Sequence, residues 1–203
     1  FHSLDYLIFM VVVLVSYWRL SHPHQQILLL LSSYFVYGYV HPWFLILVMA
    51  STLLDFAAGR AMVHFHPFKR VILLISLTGN LGLLSIFKYF GFFVENINLI
   101  LHLAGLPDLH PTLEILLPVG ISFYTFQSMS YTIDIYHGRL APCRNLVNFA
   151  LYITFFPQLV AGPIERGQTL LYQLERPRFF SPHQAQEGLL LIVWGLFKKM
   201  VIA

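Results

Sequence analysis

The sequence predicts an all-α, polytopic membrane protein. Three observations predict it. The chain is 58% hydrophobic, only 10% of its 203 residues are charged, and its apolar residues gather in long runs between short polar links. A soluble domain devotes about a quarter of its residues to charge, so this composition does not furnish a water-facing surface. Mean hydropathy is +0.71. In hydrocarbon every backbone polar group is satisfied within the segment, which makes the helix the natural spanning element for runs of this kind.

The apolar runs cover 4–18, 27–39, 43–58, 71–87, 90–103, 115–135, 145–161 and 188–203. Several fall short of the ~20 residues that a helical span needs. The first has no basic flank and no small-residue cleavage site, and more apolar spans follow it, so it reads as a span and not a cleaved signal. Arg19 follows the first run, and His41 and Pro42 link the second to the third. Arg60, Lys69 and Arg70 follow the third. The link 104–114 carries two acids and no Lys or Arg, whereas Arg139 and Arg144 follow the run 115–135. Basic residues in short loops mark the cytoplasmic side. The pattern is consistent if the N-terminus lies outside, if 71–103 makes one net crossing as a long bent helix or a span plus hairpin, and if 145–161 dips in and returns. Position 108 then lies outside. Pro157, Gly162 and Pro163 break FFPQLVAGPIERG, as a re-entrant segment requires. The stretch 162–186 is the one long polar connection, and a single domain is the simplest organisation. The chain begins at Phe1 and stops inside an apolar run, so the expectation is the N-terminal part of a longer protein.

The run ending in PVGISFYTFQSMSYTIDIY carries an unusual load of polar groups. Placed on a helix at ~100° per residue, Gly120, Tyr124, Gln127, Tyr131 and Asp134 fall on one stripe. Ser122, Phe126, Met129 and Ile133 form the opposite, mostly apolar one. Thr125, Ser128 and Thr132 make a third edge of small hydroxyls. Pro118 suits a first helical turn. An intramembrane Asp costs about 2.5–3.5 kcal/mol at mid-helix on insertion scales, so the polar stripe faces the bundle interior or a watery cavity. It is expected to bury Tyr124, Gln127, Tyr131 and Asp134 and to turn Phe126 and Ile133 away. Interhelical hydrogen bonding is the plainer role; the wall of a substrate path, continued by Pro157 and Gln158, is the sharper one.

Other chemistry is sparse. Cys143 is the only cysteine, which excludes an intrachain disulfide and lacks the local histidine that a thiol nucleophile uses. His22/His24 and His64/His66 read as loop residues at the interface, with no further ligands nearby, so no metal site is expected. His102 has no partner acid or nucleophile in view. Lys198 and Lys199 suit snorkelling to an interface. The net charge of +3 is scattered through loops and makes no nucleic-acid stripe.

Three blocks then carry a resemblance: LPVGISFYTFQSMSYTIDIY, ITFFPQLVAGPIERG and WGLFKKMVIA. In that order and separation they resemble the membrane-bound O-acyltransferase (MBOAT) superfamily, in its alginate O-acetylation branch, over residues 117–203. The resemblance implies a ring of transmembrane helices with re-entrant segments, of which residues 1–203 are the N-terminal part. It implies a multi-pass enzyme of the bacterial inner membrane. That enzyme would move an acetyl group from a cytoplasmic donor, acetyl-CoA, to an exported polysaccharide such as alginate, with a periplasmic polysaccharide acetyltransferase as partner. No bound cofactor is implied. The family's catalytic histidine belongs to a later block rich in Trp and His, so no catalytic residue is assigned here. Arg139, Arg144 and Arg166 are candidates for the donor's phosphates, or plain cytoplasmic loop charges. The alternatives are the D-alanyl-transfer branch serving teichoic acids and a non-enzymatic polytopic transporter.

Overall fold

The computed structural model describes residues 4–40, 42–107 and 120–202. Among them the regular structure is helical: α1 (Leu4–Arg19), α2 (His22–Val40), α3 (Phe44–His64), α4 (Lys69–Leu103), α5 (Ile121–Tyr136), α6 (Leu146–Thr154), α7 (Phe156–Ala161), α8 (Gly167–Glu175) and α9 (Pro182–Phe197). A 3-10 turn (His66–Phe68) joins α3 to α4, and a π-helical turn (Lys198–Ile202) follows α9. Position 108, Pro118 and the rest of 108–119 lie outside the described residues.

Local chemistry explains most of the ends. Asp5 and Arg19 sit in the first and last turns of α1, where each complements the helix dipole. α2 begins earlier than its apolar run because Pro23 is tolerated in a first turn. His22 and His24 therefore belong to α2 and not to a loop, and Ser21 Oγ lies 2.8 Å from His24 Nδ1. The runs 71–87 and 90–103 merge into α4, since Lys88 and Tyr89 between them are ordinary helix residues. Its 35 residues reach about 52 Å at ~1.5 Å per residue, well past a ~30 Å hydrocarbon core.

The stretch 145–161 divides at Phe155 into α6 and α7, with Pro157 in the first turn of α7. Neither piece is long enough to cross a bilayer. The stretch 162–186 is not merely a connection. It contains α8, which buries Gly167, Leu171 and Leu174 on one face, the i, i+4, i+7 spacing of an amphipathic helix.

α3, α4 and α5 pack against one another, while α6 lies against α2, α3 and α8. Small residues set the close approaches. A Cβ on Gly59 would lie 2.9 Å from Ile135 Cδ1 and 3.0 Å from the Tyr131 ring and hydroxyl. One on Gly79 would lie 2.8 Å from Leu54 Cδ2. Such contacts are how helices associate where no hydrophobic effect drives them. Residues 44–64 and 66–103 are long and apolar enough to cross a membrane by length and composition. Large apolar side chains stand exposed along α1, α4 and α9, among them Leu7, Ile8, Phe92, Phe93, Leu190 and Leu191. Lipid accounts for such a surface where water would not.

Candidate functional site

Asp55, on α3, is fully buried at 0% exposure. Ser76 Oγ donates to its Oδ1 at 2.5 Å. Asn80 Nδ2 donates to Oδ1 at 2.9 Å and to Oδ2 at 2.8 Å. Ser128 Oγ donates to Oδ2. Ser51 Oγ orients the Asn80 amide by donating to its Oδ1 at 2.7 Å, and Ser76 Oγ lies 3.3 Å from Thr132 Oγ1. Each helix contributes a pair at i, i+4: Ser51 and Asp55 from α3, Ser76 and Asn80 from α4, Ser128 and Thr132 from α5. That spacing places both members on one face. The carboxylate accepts from Ser76, Asn80 and Ser128, and among the described residues no Lys, Arg or His pairs with it. A carboxylate removed from water needs such a set of donors.

The stripe on α5 faces α6 and the loop after α5. Tyr124, Gln127 and Tyr131 are buried, Asp134 is 5% exposed, and Phe126 turns out at 46%; Ile133 is half-buried. Gln127 Nε2 donates to the Tyr152 carbonyl at 2.6 Å. Tyr131 packs against Phe149 with ring centres 4.4 Å apart and the rings tilted by 44°, and its hydroxyl accepts from the Cys143 N–H at 3.0 Å. Asp134 Oδ1 lies 4.0 Å from Arg139 Nη1.

Gly120 departs from its expected place. It sits just before α5 as its cap, at φ 75°, a left-handed conformation that Cβ-bearing residues avoid. It is therefore not on the helical stripe; its carbonyl accepts from Tyr124 N at 3.0 Å. Gln158 closes the turn after α7. Its Nε2 donates to the Pro163 carbonyl at 2.9 Å, and its own carbonyl accepts from Gly162 N at 2.7 Å.

The loop 137–145 carries the arginines. Arg139 and Arg144 line a groove of about 680 Å³ with Asn145, Asn148, Gly167 and Gln168. Arg144 also lines an adjoining groove of about 740 Å³ with Arg60 and His64. Arg166 is exposed and caps α8, and it is not among the lining residues of either groove. Cys143 is buried between them. Its thiol donates to the Asn145 carbonyl at 3.2 Å and to Glu175 Oε1 at 3.4 Å. Burial above all, with the Glu175 carboxylate adding to it, pushes that thiol up to about 12. It is no ready nucleophile.

Sequence reasoning brought out Ser128 and Thr132 as an edge of hydroxyls but missed Asp55, Ser76 and Asn80. The signal was present. A lone carboxylate inside an apolar run is a functional-site hypothesis in its own right, and Ser76, Asn80 and Ser128 on other runs were its donors.

An all-helical membrane protein with its polar groups gathered between helices is the class that the fold and site define. No family model matches the chain, and no solved structure matches it. It is 36% identical over 200 residues to "Probable alginate O-acetylase AlgI" of Pseudomonas putida, covering 97% of this chain and 41% of that protein. The protein of the same name from Pseudomonas aeruginosa is 34% identical over 200 residues, with 97% and 38% covered. "Peptidoglycan O-acetyltransferase" of Helicobacter pylori is 30% identical over 203 residues, with 86% and 38% covered. The chain spans about two fifths of the length of these relatives. Over that span the chain is similar to proteins named as O-acetylating enzymes, in line with its resemblance to the membrane-bound O-acyltransferase superfamily.

Proposed function

We propose that the chain is the N-terminal part, residues 1–203, of a single-domain, multi-pass O-acetyltransferase of the bacterial inner membrane. In this reading the protein is a ring of helices with re-entrant segments. It passes an acetyl group from acetyl-CoA on the cytoplasmic side to an exported polysaccharide such as alginate, acting with a periplasmic polysaccharide acetyltransferase. The observation that carries it is identity of about one third, over nearly the whole chain, to relatives named for O-acetylation of glycans.

Acyl transfer from a thioester needs a base beside the acceptor and a path shielded from water. Tyr124, Gln127, Tyr131 and Asp134, with Gly120, Pro157 and Gln158, would form the wall of that path. Arg139, Arg144 and Arg166 would face the donor's phosphates at its mouth. The catalytic histidine would come from the remainder of the protein. The Helicobacter relative, named for peptidoglycan, favours a cell-wall glycan as the second choice of acceptor.

The test uses the full-length protein in proteoliposomes. Labelled acetyl-CoA is supplied on the cytoplasmic face, and the partner enzyme with alginate or peptidoglycan fragments on the other. Label on the glycan is the expected result. Transfer of D-alanine from a carrier protein instead would move the assignment to the teichoic-acid branch. No transfer from either donor would sink both enzyme readings and leave the transporter.

A further inference from the structure

α4 outruns the helices it packs against. Trp43, just before α3, meets Phe87 with ring centres 5.7 Å apart. Lys88 Nζ donates at 3.2 Å to Oγ of Ser122, which lies in the first turn of α5. α3 and α5 therefore both begin level with Phe87 and Lys88. The buried residues of α4 are Ser76, Asn80 and Leu84, and from Lys88 on the helix is exposed or half-buried. Residues 89–103 extend past both neighbours by about 22 Å at ~1.5 Å per residue.

This extension has two unlike sides. At ~100° per residue, Lys88, Gly91, Glu95, Asn98 and His102 form one stripe. It prolongs the side that carries Ser76, Asn80 and Leu84, and together these positions take up about a third of the circumference. Phe92, Phe93, Leu99, Ile100 and Leu103 occupy the other side and stand exposed. Asn96 on that side donates to the Phe92 carbonyl at 2.7 Å and so is met within the helix.

The apolar side suits lipid. The stripe does not. Lys88, Glu95 and His102 are exposed, and ionisable side chains of membrane helices turn to protein or to water. The spacing separates those two. Steps of three, four, three and four residues keep a stripe straight along a second helix. Gly91, with nothing within 4 Å of its Cβ position, offers that helix a close approach. A watery cavity needs neither feature.

We propose that this stripe is the seat of a helix from the part of the protein beyond residue 203. The inference rests on the reading of the chain as the N-terminal part of a longer enzyme, since it spans only about two fifths of its relatives' length. The seat continues the side of α4 already packed on α3 and α5, so the incoming helix lies over the ends of those two. Its chemistry follows from the stripe: an acid or a carbonyl opposite Lys88, a small residue opposite Gly91, and a hydrogen-bond donor or a base opposite Glu95.

The experiment takes the full-length protein in nanodiscs. The photo-crosslinker benzoylphenylalanine replaces Glu95 in one sample, and Phe93 or Ile100 in two others. After irradiation the linked species are identified by mass spectrometry. Glu95 should link to a peptide from beyond residue 203 of the same chain, and Phe93 and Ile100 to lipid. Gly91→Leu, whose side chain fills the seat, should abolish the Glu95 link. A Glu95 link to lipid or to a second copy overturns the proposal, as does no link from Glu95, or equal links to the remainder from all three positions. Should Gly91→Leu fail to fold, the Glu95 link without it decides. Labelled acetyl transfer is measured on the same samples. Transfer without the link would remove the seat and spare the proposed function; the link in a protein that transfers no acetyl group would do the reverse.

Discussion

Asn80 spans the Asp55 carboxylate with one amide nitrogen, 2.9 Å from Oδ1 and 2.8 Å from Oδ2. α3 and α4 are thus joined in a buried polar cluster that Ser76 also bridges, and Ser51 fixes the orientation of the amide. Replacing Asn80 by Leu strips the amide that bridges both oxygens of a carboxylate that cannot reach water. The expected loss is about 3 kcal/mol, since hydrogen bonds to charged groups contribute about 1.5–3 kcal/mol each. In a double-mutant cycle with Asp55→Asn, melting in detergent should show a coupling of about 1–3 kcal/mol. Additive single effects would mean that the pair does not act as a unit.

Gly59→Ala tests the contact between α3 and α5. The new methyl would meet Ile135 and Tyr131 at 2.9 and 3.0 Å, and overpacking of this kind costs about 1–3 kcal/mol. Ile135→Val, by removing a methyl from the collision, should recover part of the melting temperature. Gly82, with nothing within 4 Å of its Cβ position, is the control. An Ala there should leave the melt unchanged or raise it, because alanine favours the helix.

Cys143 sets a pH dependence with a definite sign. The folded thiol titrates at about 12 and the free one at 9.0. Between those values the folded chain holds a proton that the unfolded chain has lost, so stability falls as pH rises through that window. Below it the thiol contributes no slope. Chemical denaturation at pH 8 and pH 10 should therefore show a smaller drop for Cys143→Ala than for wild type. At pH 8.5 iodoacetamide should label the native protein far more slowly than the denatured one; equal rates would contradict the buried, protonated thiol.

Topology can be read in a Cys143→Ser background. α4 is one helix with Lys69 and Leu103 at its ends, so Lys69→Cys and Ala104→Cys should react with an impermeant maleimide from opposite faces. From the basic loop residues, Lys69 is expected to react from the cytoplasmic side. Labelling of both from one face would show that α4 does not cross, and a cytoplasmic position 108 would remove the single net crossing of 71–103.

What the sequence made legible follows from where its signals lie. The α5 stripe is local and periodic, so Tyr124, Gln127 and Tyr131 could be placed inward from spacing alone. The amphipathic face of α8 was equally local but sat in a stretch judged by its polarity. Asp55 is a different case. Its donors stand 21, 25 and 73 residues away, and no window on the chain contains them together. Gly120 was assigned by extending helical periodicity one turn too far, across a position whose left-handed backbone ends it. The groove depends on two helix starts, at Leu146 and Gly167, converging in space, which periodicity within either segment does not encode.

The separation between Asp55 and Ser128 has a consequence for biogenesis. α3 leaves the ribosome carrying a mid-helix carboxylate that costs about 2.5–3.5 kcal/mol in lipid. Ser76 and Asn80 follow within 25 residues, but Ser128 follows only after 73. As a membrane span, α3 would be incompletely stabilised until then, and its retention in the bilayer would depend on segments still being synthesised. Truncated nascent chains ending between residues 100 and 120 should integrate α3 less completely than chains extended past residue 136, and Asp55→Leu should abolish that difference.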